Sequence, residues 1–84
     1  MTDIVKIEMR AVLEELDAIR RLADSVKKGY GEAAQVIGAY SDGSARDDAR
    51  DAVGEFDAAS RATQDCDVAV QRAATAIQNF RNRI

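Results

Sequence analysis

The chain has no histidine, no proline and no tryptophan, and it has a single cysteine and only four aromatic residues in 84. Without histidine there is no Ser/His/Asp or Cys/His pairing for nucleophilic work, and no glycine-rich phosphate loop stands in for one. One cysteine excludes an internal disulfide framework and a thiolate-based zinc site. Long apolar runs are missing too: no stretch approaches the roughly twenty residues of a membrane span, and the opening Met1-Thr2-Asp3-Ile4-Val5-Lys6 lacks the basic start and apolar run of a secretory signal. Strong positive charge is absent. With a net charge of −3 and basic residues scattered among acids, the chain has no clustered Lys/Arg surface for nucleic acid.

What remains is 46% hydrophobic and 32% charged, the composition of a folded helical chain rather than a disordered one. Apolar residues recur at intervals of seven. In the first half one row is Met9, Leu16, Ala23, Tyr30 and Ile37, and a second is Val5, Val12, Ile19, Val26, Ala33 and Tyr40. The rows stand three and four residues apart, as the a and d positions of a heptad seam do. In the second half the rows are Ala49, Phe56, Thr63, Val70, Ile77 and Ile84, and Ala45, Ala52, Ala59, Cys66, Ala73 and Phe80. Cys66 is expected to be a small buried hydrophobe, and periodicity leaves open whether a seam faces the other helix of the hairpin or a partner's helix.

Between the halves lies Ser41-Asp42-Gly43-Ser44, the clearest break in the pattern. Gly43 can take the left-handed conformation that closes a turn, and the short oxygens of Ser41, Asp42 and Ser44 can satisfy helix-end amides. Ser44-Ala45-Arg46-Asp47 resembles a capping box, and Asp47, Asp48 and Asp51 place negative charge at a helix N-terminus. Thr2 or Asp3 is the expected N-cap of the first helix. Gly29 and Gly31 each cost a helix about 1 kcal/mol against alanine, yet the rows pass through them without a phase change, so the helix is expected to continue. On the outer faces, Asp17 with Arg21, Arg20 with Asp24 and Asp24 with Lys28 stand at i,i+4.

The expected fold is therefore all-α: one domain over 1–84, an antiparallel two-helix hairpin with helices at about 3–40 and 45–82 and an elbow at 41–44. A hairpin of this length buries too little apolar surface to stand alone, so a pairing into a four-helix bundle is expected. The first seam offers large side chains and the second mostly alanine, extended by Ala62, Ala69 and Ala76, which permits close helix approach. Val12, Leu16, Ile19, Val26, Tyr30, Phe56, Val70, Ile77 and Phe80 are the candidate packing and partner-binding residues, and Tyr40, Ser41, Asp42 and Gly43 the elbow. Paired acids at Glu14-Glu15 and Asp47-Asp48 point about 100° apart on a helix and share no pocket. No catalytic residue, cofactor or metal ligand is expected, and the expected partner is helical: another protein or a second copy.

A hairpin of nearly equal helices with a glycine elbow, followed by an Ala-rich helix carrying Ala52-Val53-Gly54-Glu55-Phe56, resembles the small Trp-x-Gly (ESAT-like) hairpin proteins of bacterial type VII secretion. The resemblance spans the chain. The Trp-x-Gly place falls at Ser41-Asp42-Gly43, which keeps the glycine and has no tryptophan; Tyr40 stands one residue earlier. The family's export tail, an aromatic followed four residues later by an acid, is missing, since Phe80 is followed at that spacing by Ile84. These departures resemble the non-Trp relatives that accompany LXG-type toxins, whose openings look like Ile4-Val5-Lys6-Ile7. The resemblance implies a non-catalytic accessory or targeting protein that binds the helical N-terminal region of a secreted toxin, or a second hairpin. It also implies a place in the bacterial cytoplasm or, with the partner, outside the cell by a route without a cleaved signal. An alternative resemblance lies in Ile77-Gln78-Asn79-Phe80-Arg81, which looks like the tail of type III secretion needle subunits, hairpins that polymerise into filaments.

Overall fold

Two long helices account for the computed structural model, which describes residues 2–39 and 45–84. The first, α1, spans Thr2–Gly38, and the second, α2, spans Arg46–Arg83. They pack against each other as an antiparallel hairpin, and no strand occurs among the described residues. Proline-free sequence lets both helices run ten turns without a break. Gly29 and Gly31 lie inside α1, as the unbroken heptad rows predict.

The ends differ by a residue or two from expectation. Thr2 and Asp3 are both helical rather than N-caps, and Asp3 places its charge in the first turn, where the macrodipole favours it. At the far end α1 stops at Gly38, not at residue 40, with the Ala39 amide donating to the Gln35 carbonyl at 3.2 Å. The proposed elbow residues Tyr40, Ser41, Asp42 and Gly43, and the capping box built on Ser44, lie outside the described residues. Helix α2 starts after Ala45, which makes no side-chain cap, with Asp47 and Asp48 in its first turn and Arg81 and Arg83 in its last. Both charge placements complement the helix dipole.

The hairpin is a rod of 66 × 14 × 11 Å with a radius of gyration of 19.1 Å, against about 12 Å for a compact domain of this length. The shape has an energetic consequence. Among the described residues no hydrophobic side chain is buried, and the single buried residue is an acid, Asp67, 9% exposed.

Candidate interaction face

The seam between α1 and α2 has two lanes. The first is apolar. Met9, Leu16, Ala23, Tyr30 and Ile37 of α1 turn towards Ala49, Phe56, Thr63, Val70 and Ile77 of α2, all half-buried. Tyr30 and Phe56 meet with ring centroids 6.1 Å apart and planes tilted by 38°, a favourable arrangement for aromatic quadrupoles. The Thr63 hydroxyl donates to the Ala59 carbonyl at 2.9 Å, so its polar group is satisfied within the helix.

The second lane, which mixes charged and small apolar residues, departs from expectation. In α1 it consists of Lys6, Leu13, Arg20, Lys27 and Ala34, and in α2 of Val53, Ser60, Asp67, Ala74 and Arg81, all half-buried apart from the buried Asp67. At mid-rod Arg20 Nε donates to Asp67 Oδ1 at 3.2 Å. Two turns along, Lys27 Nζ donates to Gln64 Oε1. At the turn end the backbone of Gly38 lies close enough to Val53 that a Cβ there would sit 3.7 Å from Val53 Cγ2, in ordinary contact. Arg20 therefore pairs across the hairpin with Asp67 instead of along its own helix with Asp24, because Asp67 offers a carboxylate in a drier place. The expected Asp17–Arg21 pair does form, on the exposed side.

Each helix is thus turned by one heptad position from the expected seam, and the rows thereby displaced are apolar. Val5, Val12 and Ile19 are 38, 41 and 46% exposed, while Val26 and Ala33 are half-covered. On α2, Ala52 and Ala59 are half-covered, Cys66 and Ala73 are exposed, and Phe80 is 53% exposed. The expectation of a buried Cys66 is corrected: its thiol faces solvent. The physical reason is that an apolar sector about three positions wide can contact one neighbour along only one of its edges, and the Arg20–Asp67 pair takes the edge where opposite charges meet.

The two displaced rows fall on the same side of the hairpin. Residues advance clockwise along α1 viewed from its N-terminus and anticlockwise along α2 viewed from the same end, so equal displacements in opposed helices turn towards one side. The bonds of the mixed lane agree, since Arg20, Asp67, Lys27 and Gln64 meet on the other side of the seam. The middle of one long face of the rod is therefore apolar; its borders are mixed, with Glu8, Glu15, Leu22 and Val36 on α1, the last two 63 and 66% exposed, and Asp48, Glu55, Ala62, Ala69, Ala76 and Arg83 on α2. The opposite side carries Arg10, Asp17 and Asp24 of α1 and Arg50, Asp57, Gln64 and Gln71 of α2.

Of the candidate packing residues, Leu16, Tyr30, Phe56, Val70 and Ile77 point into the seam. Val12, Ile19 and Phe80 stand on the open face, and Val26 lies at its edge. Heptad periodicity does not point to Arg20, Asp67, Lys27 and Gln64 as contacts; opposite charges at matching distances from the central break are the signal that could have found Arg20 and Asp67. Among the described residues no three His, Cys, Asp or Glu side chains gather into a metal-holding group, and no helix is long and apolar enough to cross a membrane.

The fold and face define an all-α antiparallel helical hairpin that is amphipathic as a whole. No protein-family profile, curated protein or solved structure matches the chain.

Proposed function

We propose that the chain is a non-catalytic docking protein whose apolar face is covered by another helical hairpin, in the manner of the type VII secretion accessory proteins it resembles. The observation that carries this reading is the missing core. A compact monomer of this size exposes about 4,900 Å², whereas the hairpin exposes 6448 Å², an excess on the order of 1,500 Å², about twice the roughly 800 Å² that each partner buries in a standard protein–protein interface. Apolar surface laid out along the middle of one face, with charge on its borders and on the opposite side, suits a helix pair docking side by side to complete a four-helix bundle. In the secretion setting the partner is the helical N-terminal region of a toxin, or a second hairpin, and the joint surface is what the secretion machinery recognises.

The test is co-expression with the helical N-terminal segments of large proteins encoded beside this one, followed by mass measurement by light scattering. A complex of defined stoichiometry, lost on Ile19→Asp and kept on Gln71→Asp, is the expected result. Binding that survives Ile19→Asp would refute docking through this face, and filaments in place of a defined complex would favour the needle-type reading.

A further inference from the structure

Three glycines in the helix interiors lie at one level of the rod. Gly29 and Gly31 flank Tyr30, Gly54 stands two residues before Phe56, and the 6.1 Å ring contact holds those two aromatics opposite each other. Glycine is the poorest helix former after proline, and it leaves the helix backbone open to water. All three are exposed, and a Cβ on any of them would meet nothing within 4 Å, so close packing within the hairpin does not account for them. Gly29 shares a row with Leu22 and Val36 on the border of the apolar face, and Gly31 shares one with Asp17 and Asp24 on the opposite side. The α1 backbone is therefore bare on both flanks at this level.

The seam thins at the same level. Towards the free end it is filled by Met9, Leu16, Val70 and Ile77 and tied by the Arg20–Asp67 and Lys27–Gln64 bonds. Towards the turn the half-buried residues are Ala33, Ala34, Ile37, Ala49, Ala52 and Val53, mostly alanine. Among the described residues no side-chain hydrogen bond or ion pair joins the helices in that section. Weak helical backbone and sparse packing that begin together mark the boundary of a cooperative unit. We infer that residues 31–39 and 45–54 form such a unit, which opens at the glycine level while the section held by Arg20 and Asp67 stays paired. The Tyr30–Phe56 contact is the stop at which opening ends. Opening of this kind belongs to the hairpin itself and needs no partner.

Native-state hydrogen exchange of the full chain, read by mass spectrometry in increasing sub-denaturing urea, tests the unit. Amides of 31–38 and 47–54 are expected to share one protection factor, at least about ten-fold below that of 12–27 and 60–74. Their exchange should also respond less to urea, because opening the unit exposes less surface than unfolding the whole chain. Gly31→Ala with Gly54→Ala should slow exchange in both turn-side segments by about five-fold or more, since the opened state no longer escapes a helix penalty. Fraying confined to the helix ends at Gly38 and Arg46 would not respond to those substitutions. Equal protection and equal urea dependence along the rod overturn the inference, as does turn-side exchange that the alanine variant leaves unchanged.

Discussion

Three glycines sit inside these helices where alanine would serve the backbone better. Gly29 and Gly31 of α1 and Gly54 of α2 are all helical and exposed, and a Cβ built on any of them meets nothing within 4 Å. Alanine adds no clash and removes the extra freedom that glycine gives the unfolded chain, so each substitution is expected to stabilise by about 0.5–1 kcal/mol. Because the added methyls meet no common neighbour within 4 Å, the three changes are expected to be nearly additive, giving the triple variant about 1.5–3 kcal/mol. At roughly 4–8 °C per kcal/mol for a chain of this length, the melting midpoint should rise by at least about 6 °C. Circular dichroism at 222 nm, with wild type and variants at one fixed protein concentration, measures the shift without confusing it with association. A fall in the midpoint for any of the three would refute the reasoning for that position, since only close approach by another chain would make the added methyl unwelcome.

Two further pairs of substitutions probe the seam. Arg20→Met removes the partner of an Asp67 side chain that is 12% exposed, and urea denaturation should show a loss of about 1–3 kcal/mol; the double variant Arg20→Met/Asp67→Leu should recover most of it, because an apolar pair carries no desolvation cost. Phe56→Ala is expected to cost about 1–3 kcal/mol, less than a fully buried phenylalanine because Phe56 is half-covered. A double-mutant cycle with Tyr30→Ala should return a coupling of about 0.5–1.5 kcal/mol from the ring contact.

Much of this architecture is legible in the sequence, and the part that is not has a definite cause. Heptad spacing shows which residues share a sector of the helix: the rows through Leu16 and Ile19, or through Phe56 and Phe80, are plain before any coordinates exist. Periodicity carries no information about which edge of a wide sector meets the chain's own second helix and which meets nothing. That choice turned on Arg20, Lys27 and Asp67, charges that look like ordinary solvated surface when each helix is considered alone. Only the pairing of the two helices sets Arg20 level with Asp67 and reveals them as neighbours. The outward turn of Val12, Ile19 and Cys66 follows from that pairing.

The Arg20–Asp67 bond also guards the alignment of the helices unequally in its two directions. Sliding α2 by one heptad towards the free end would set the Asp67 carboxylate beside half-buried Leu13, the lane position between Lys6 and Arg20 that carries no cation of its own. Sliding it the other way would set Asp67 beside Lys27, a ready substitute cation. The rod is thus pinned against one misalignment and permissive of the other, so errors in zipping the helices together should collect on the side where Lys27 can stand in for Arg20.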